Sequence, residues 1–136
     1  MIGIIVASHG ELAHELVRTA ERVVGEIQRC VSVSVDGVST NEEMQARFQA
    51  AVDRVDDSEG ILILTDMFGG TPANLGLSLL AEGKVEVLTG VNLPMLLKLA
   101  TSRSVSTPPA ALGEMARLIK YYGQKNISVA SEFLSQ

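Results

Sequence analysis

The chain has 136 residues, of which 46% are hydrophobic and 20% charged, with a formal net charge of -5. This size and composition suit one globular domain over residues 1–136, and the negative charge argues against nucleic-acid binding, which needs a basic surface. No apolar run is long enough to span a bilayer and no basic segment precedes the first one, so we expect a cytoplasmic protein. The single cysteine, Cys30, excludes an internal disulfide and is expected to be buried.

Apolar runs alternate with amphipathic stretches along the chain. The first predicted strand, 2–7, is nearly all apolar, as expected for a strand buried on both faces of a parallel sheet. Predicted strands follow at 30–35, 60–65 and 84–89, with predicted helices over 11–24, 40–54, 71–82, 94–100 and 110–122, a loop over 101–109, and a short final strand at 127–129. Strands that alternate with helices predict an α/β fold with a doubly wound, mainly parallel sheet.

Several local signals define these elements. Thr40 and Glu43 have the spacing of a capping box, and Gly25 is a natural stop for the first helix. Thr71 can cap the helix that follows the third strand, with Pro72 in its first turn. Apolar residues at helical spacing predict the inward face of the first helix, formed by Leu12, Leu16, Val17, Ala20, Val23 and Val24.

Two predicted strands end in polar, potentially reactive groups, which are Ser8-His9 and Thr65-Asp66. In a flavodoxin-like strand order, the first and third strands are neighbours, and the crevice between their carboxyl ends is where ligands bind. An aspartate beside a histidine can accept one ring N–H and leave the other nitrogen free to attack. The alternatives are that His9 only terminates its strand and that Asp66 only forms a turn.

The segments after these strand ends favour a small anion such as phosphate. The amides after His9, beginning with Gly10, and those near Gly69, Gly70 and Thr71 lie at predicted helix starts, where anions bind readily. The glycines let the backbone approach a ligand closely, although a tight turn requires glycine equally well.

Other motifs are absent. The sequence has no phosphate-binding loop of the nucleoside-triphosphatase type, no dinucleotide fingerprint and no nucleophile elbow. His9 and His14 are five residues apart rather than four, so they do not form the zinc-binding helix motif, and we expect His14 on the helix flank. We therefore predict neither a metal nor a cofactor.

Three segments together resemble a known family. They are Ser8-His9-Gly10 with a following Thr19-Ala20-Glu21 and Gly25-Glu26, then Thr65-Asp66-Met67-Phe68-Gly69-Gly70-Thr71-Pro72-Ala73-Asn74, and then Gly90-Val91-Asn92-Leu93-Pro94-Met95-Leu96. In this order they resemble the IIA component of the mannose-type (mannose/sorbose) sugar phosphotransferase system (PTS), and the likeness covers nearly the whole chain.

The resemblance implies a phosphotransferase. His9 would accept a phosphoryl group through Nε2 from phosphorylated HPr, Asp66 would orient His9, and Thr71 would stand near the phosphoryl group. A IIB protein would receive the group, with an indirect link to the membrane components IIC and IID. The family also implies a four-stranded parallel sheet and a homodimer that exchanges a C-terminal antiparallel strand, here 127–129.

Two departures and two alternatives remain at this point. Phe68 stands where some relatives have tryptophan, and the absence of a fused IIB domain predicts that IIB is a separate chain. The phosphocarrier subunit of dihydroxyacetone kinase is one alternative, although the segment from Asp66 to Pro72 fits the mannose type better. The other is a non-enzymatic binding or regulatory module for a small anion.

Overall fold

The computed structural model describes residues 1–103 and 111–135. Its elements are β1 (Gly3–His9), α1 (Leu12–Val24), β2 (Cys30–Val35), α2 (Asn41–Val55), β3 (Ile61–Thr65), α3 (Thr71–Leu77), β4 (Val85–Thr89), α4 (Leu93–Ser102), α5 (Leu112–Lys125) and α6 (Ala130–Leu134). Of the predicted loop 101–109, the first two residues belong to α4, and residues 104–109 lie outside the described residues.

The strands form a four-stranded parallel sheet in the described part of the chain, with the order β2-β1-β3-β4. The predicted α/β fold is confirmed, and β1 and β3 are neighbours as expected. The register pairs Ala7 with Thr65 and Ser8 with Ser34. Because all four strands run the same way, the segments after β1, β2 and β3 meet at one edge of the sheet, the carboxyl edge.

The sheet separates two apolar layers, since successive strand residues point to opposite faces. Ile4 and Val6 of β1 pack on the side of α1, α4 and α5. Ile5 and Ala7 pack on the other side, with Phe48 of α2. The β1 residues from Ile4 to Ala7 are fully buried, which explains why this strand is an unbroken apolar run.

Two helix signals are confirmed by the structure. Thr40 and Glu43 form the complete capping box: the Thr40 hydroxyl accepts from the Glu43 N–H at 3.1 Å, and the Glu43 carboxylate accepts from the Thr40 N–H at 2.9 Å. Gly25 follows α1 with a φ of 85°, a left-handed conformation that glycine adopts easily.

The predicted inward face of α1 is only partly correct. Of the predicted residues, Ala20 is fully buried and Leu16 and Val17 are partly buried against the core, whereas Leu12 and Val23 are 51% and 62% exposed. Val24 is also exposed. A helix that packs flat on a sheet buries a narrow stripe along its contact line, so apolar residues on either side of that stripe stay in solvent.

The helix after β3 also differs from its prediction. α3 ends at Leu77 rather than near Glu82, and Thr71 is its first residue while Gly70 occupies the N-cap position. The Ser78 hydroxyl donates to the Leu75 carbonyl at 2.6 Å, and such a bond competes with continued helical pairing. The chain then turns, and Ala81 bridges to Val85 before β4 begins.

The predicted final strand is not formed by the chain on its own. Among the residues that the structure describes, 127–129 have no strand partner, and the five-residue helix α6 follows. Large apolar side chains here are exposed, namely Ile127, Val129, Phe133 and Leu134. A strand needs a neighbouring edge to complete its hydrogen bonds, and the single chain leaves this segment without one.

Cys30 is partly buried in β2, and burial raises the pKa of its thiol to about 12, which makes it a poor nucleophile. Across the described residues, no helix combines the length and the apolar character that crossing a bilayer would require.

Candidate active site

The carboxyl edge brings His9 and Asp66 together. His9 is the last residue of β1, and Asp66 follows the last residue of β3. Since β1 and β3 are paired, with Ala7 opposite Thr65, the next residues of both strands meet above the sheet. His9 Nδ1 lies 2.8 Å from Asp66 Oδ2. The predicted juxtaposition of these two side chains is present in the structure.

Asp66 holds both the ring and the backbone of His9. Its Oδ2 also accepts from the His9 N–H at 3.0 Å, while its Oδ1 accepts from the Met67 N–H at 3.1 Å. An ionised carboxylate can only accept, so Nδ1 of a neutral His9 ring must carry the proton. The lone pair of the neutral ring is therefore on Nε2, the nitrogen that Asp66 does not contact.

The environment keeps Asp66 ionised. Burial by itself raises the pKa of this carboxyl, but the hydrogen bonds from the His9 ring and the His9 backbone outweigh it, so the pKa lies below its ordinary value. The Asp66 side chain is 12% exposed and that of His9 is 49% exposed. The orienting carboxylate is thus shielded from water, whereas the ring it orients is accessible.

Gly70 lies against the free nitrogen of His9. A Cβ at position 70 would stand 3.3 Å from His9 Nε2 and 3.1 Å from Cε1, and the residue has a φ of 90°. A side chain here would crowd the ring and strain the backbone, so glycine leaves room for a group bound to Nε2. Gly69 has a φ of 79°, and a Cβ added at its position would have no described heavy atom within 4 Å.

The remaining predicted residues are placed as follows. Gly10 follows His9 with a φ of 55°, and its N–H donates to the Val35 carbonyl at 3.1 Å. Thr71 opens α3 with an exposed side chain. His14 is exposed on α1, where its Nδ1 lies 3.4 Å from the Ser32 hydroxyl, so it belongs to a separate contact.

Two serines support the loop after His9: the sequence singled out Ser8 as part of the strand end but not its supporting contacts, and Ser34 was not predicted at all. The fully buried Ser8 accepts from the Ala13 N–H at 2.6 Å and donates to the His9 carbonyl at 3.0 Å. Ser34 donates to the Gly10 carbonyl at 2.6 Å. The available signal was that each serine stands near the carboxyl end of its predicted strand.

Exposed apolar side chains are present beside the histidine. Leu12 in the first turn of α1 is 51% exposed, and Met67 and Phe68 in the loop after β3 are 53% and 78% exposed. These three residues, here called the apolar rim, belong to the two segments that follow β1 and β3. Exposed apolar residues grouped at a reactive side chain are typical of a surface that contacts another protein.

The described ranges contain no group of three or more His, Cys, Asp or Glu side chains that could hold a metal ion. The groups that can act in chemistry at this site include the imidazole of His9, the carboxylate of Asp66, the hydroxyl of Thr71 and the nearby backbone. A neutral ring with an oriented, accessible lone pair is a nucleophile suited to group transfer.

Comparison with known proteins places the chain in a family. The family model described as "PTS system fructose IIA component" matches residues 3–116. The fructose-specific EIIA component of Bacillus subtilis is 29% identical over 140 residues, covering 100% of this chain and 91% of that protein. The mannose-specific EIIAB component of Escherichia coli K12 is 30% identical over 103 residues, or 75% of this chain, which spans only 32% of that longer protein.

Solved structures agree with the sequence relatives. EIIA from Streptococcus agalactiae superposes with a TM-score of 0.85 at 26% identity, over 97% of this chain and 99% of that chain. The PTS IIA protein associated with the fucose utilization operon of Streptococcus pneumoniae gives a TM-score of 0.82 at 32% identity, over 97% and 95% of the two chains. The protein is therefore a phosphotransferase of the PTS and belongs to the family of mannose-type IIA components.

Proposed function

We propose that His9 is the phosphorylated residue, that phosphorylated HPr is its donor, and that a separate IIB protein is its acceptor. The observation that carries this proposal is the 2.8 Å contact between His9 Nδ1 and Asp66 Oδ2. It leaves the lone pair on Nε2, on the side of the ring that Gly70 approaches.

The transfer follows from these groups. The lone pair of Nε2 attacks the phosphorus atom of the donor phosphohistidine, the new N–P bond forms, and the bond to the donor nitrogen breaks. The proton on Nδ1 stays there throughout, held by Asp66. Because the transition state is loose, positioning and electrostatics supply most of the rate enhancement, and no metal is required by this scheme. Transfer to IIB is the same step with the roles exchanged.

The backbone near His9 supports binding of the phosphoryl group. We assign Gly69, Gly70 and Thr71 to this role, since Gly70 lies against Nε2 and the other two are next to it in the chain. The predicted Gly10 would contribute by leaving the loop open beside His9 rather than as a donor, because its N–H donates to the Val35 carbonyl. Neutral N–H and hydroxyl donors would stabilise phosphohistidine moderately. Moderate binding suits a carrier, which must release the group to the next protein.

The test is phosphorylation by purified phospho-HPr, followed by mass spectrometry and peptide mapping. We expect one acid-labile, base-stable phosphate on the peptide that contains His9, none in His9→Ala, and normal labelling in His14→Ala, the matched control. Phosphate on His14, or labelling that persists in His9→Ala, contradicts the assignment. A small-anion binding module would gain no covalent phosphate.

The acceptor has its own test. Phosphorylated protein is mixed with candidate IIB chains, and the phosphate should move to one of them and then to the sugar that the IIC and IID membrane components transport. Failure of every IIB of the source cell to accept the phosphate would contradict this part. In this scheme the single domain 1–136 works in the cytoplasm and reaches the membrane only through its partner.

We also propose a homodimer in which residues 127–129 pair with the sheet of a second copy. β4 is an outer strand of the sheet, and the exposed Ile127 and Val129 need such an edge. Removing residues 127–136 should convert the dimer to monomers or aggregates in light-scattering measurements. An intact protein that is monomeric at micromolar concentration contradicts the proposal.

A further inference from the structure

We propose that Ser34 is a positioning residue for phosphoryl transfer at His9, acting through the peptide between Gly10 and Glu11. The inference rests on the proposed function of His9. Ser34 lies on β2, beside Ser8 in the strand register, and its hydroxyl donates to the Gly10 carbonyl at 2.6 Å.

Gly10 needs such a contact because its own backbone is permissive. It has a φ of 55°, and a Cβ at its position would meet nothing within 4 Å, so packing does not fix the peptide that follows. One hydrogen bond holds that peptide instead, and a second holds the peptide before it. The Gly10 N–H donates to the Val35 carbonyl at 3.1 Å, and the Gly10 carbonyl accepts from Ser34.

The hydroxyl therefore sets the direction of the next amide. In a planar trans peptide the carbonyl and the N–H point in opposite directions. When Ser34 draws the Gly10 carbonyl towards β2, the Glu11 N–H is turned to the opposite side. This amide is two residues from the reacting ring and precedes the first turn of α1.

Orientation of this kind matters for a loose transition state. Donors that are already aligned with the developing charge stabilise it without reorganisation, whereas a peptide free to rotate must be ordered during the reaction. The hydroxyl of Ser34 donates to the Gly10 carbonyl, so Ser34 would act through this peptide. We expect its loss to lower the transfer rate at saturating donor and to leave the KM for phospho-HPr nearly unchanged.

The chain offers a matched control on the same strand. Ser32 lies two residues before Ser34, on the same face of β2, and its hydroxyl contacts the His14 ring at 3.4 Å rather than the loop after His9. Ser8 is less useful as a variant, because it is fully buried and holds the start of α1.

The experiment compares Ser34→Ala, Ser34→Thr and Ser32→Ala with the wild type. We expect Ser34→Ala to transfer phosphate about two- to tenfold more slowly, the size expected for one neutral hydrogen bond. Ser34→Thr keeps the hydroxyl and suits a strand, so it should restore most of the rate, and Ser32→Ala should match the wild type. In proton–nitrogen NMR spectra, the shift of the Glu11 amide on phosphorylation should be smaller in Ser34→Ala.

The outcomes separate the two proposals. A wild type that takes no phosphate on His9 overturns both. A second result is that the wild type is phosphorylated on His9 while Ser34→Ala shows the same transfer rate and the same shift of the Glu11 amide. That result overturns only the role of Ser34. That role is also overturned if Ser34→Thr is as slow as Ser34→Ala, or if Ser32→Ala is slowed equally. If Ser34→Ala unfolds more readily than Ser32→Ala, the rate of Ser34→Thr decides.

Discussion

Replacing Asp66 with asparagine tests the orienting contact at His9 directly. Asp66 accepts three hydrogen bonds, two from His9 on Oδ2 and one from Met67 on Oδ1. An asparagine has one oxygen and one NH₂ group, so it can serve only one side of this set. With its oxygen towards His9, the Nδ1–H tautomer is kept, and the exposed Met67 N–H must donate to water instead of to residue 66. In the flipped arrangement, the NH₂ group faces the ring and drives the proton to Nε2, which removes the nucleophile.

The size of the effect follows from which arrangement is populated. If the oxygen faces His9, the variant keeps these bonds but loses the charge of their acceptor, a difference of about 1–2 kcal/mol that corresponds to a roughly 5- to 30-fold slower transfer. A fully flipped amide would approach the ~10⁴-fold loss known for the wrong tautomer in serine proteases. We expect the first range, because the oxygen in that position satisfies two donors of His9 and leaves only a solvated amide unpaired.

The assay is transfer from phospho-HPr under single-turnover conditions, together with nitrogen NMR of the His9 ring to read the tautomer. Asp53→Asn is the control for the change in net charge, since Asp53 is exposed on α2 and accepts a hydrogen bond from Gln49 in its own helix. If Asp66→Asn transfers phosphate at the rate of Asp53→Asn and the ring keeps its proton on Nδ1, Asp66 is only a turn residue and does not orient the nucleophile.

Three further predictions follow from the described contacts. Phe68→Ala should raise the KM for phospho-HPr about 5- to 30-fold, because an interface side chain of this kind contributes about 1–2 kcal/mol to binding. Tyr121→Ala, on the exposed face of α5, is the control and should leave the KM unchanged. Equal KM values for the two variants would show that the apolar rim does not contact phospho-HPr. Thr40→Ala breaks the capping box of α2 and should cost about 1 kcal/mol, seen as a lower thermal midpoint with transfer unchanged; an unaltered midpoint would refute it. Hydrogen bonds from the Ser39 backbone and hydroxyl, and then from Arg47, hold the pKa of Asp36 well below its ordinary value. Ionised Asp36 therefore stabilises the folded state fully above about pH 4, the pKa of Asp in the unfolded chain, and this stabilisation is lost as the pH falls towards the folded-state pKa. Asp36→Asn should make the stability measured by thermal unfolding less dependent on pH in the acid range.

The pairing of His9 with Asp66 could be predicted because it depends on topology alone. Polar residues at the ends of two neighbouring parallel strands must meet at the carboxyl edge, whatever the rest of the chain does. The detail could not be predicted. That Asp66 accepts from both the backbone and the ring of His9, and that Gly70 lies against Nε2, depend on how two loops close over the sheet.

The contacts of Ser8 and Ser34 show the same limit. Both serines are visible in the sequence near strand ends, but which carbonyl each one meets depends on the register of β1 against β2. A shift of one residue would turn each side chain to the other face of the sheet. Only the observed pairing of Ser8 with Ser34 brings both hydroxyls to the loop after His9.

Features that depend on near neighbours in the chain follow from the residue pattern alone. β2 has the predicted bounds because valines alternate with serines, and the capping box at Thr40 forms because its partners are three residues apart. Features that depend on distant contacts follow only from the tertiary fold. It fixed which apolar residues of α1 are buried, where α3 ends before its bridge to β4, and why residues 127–129 remain unpaired, since a β-strand is completed only by the edge of another strand.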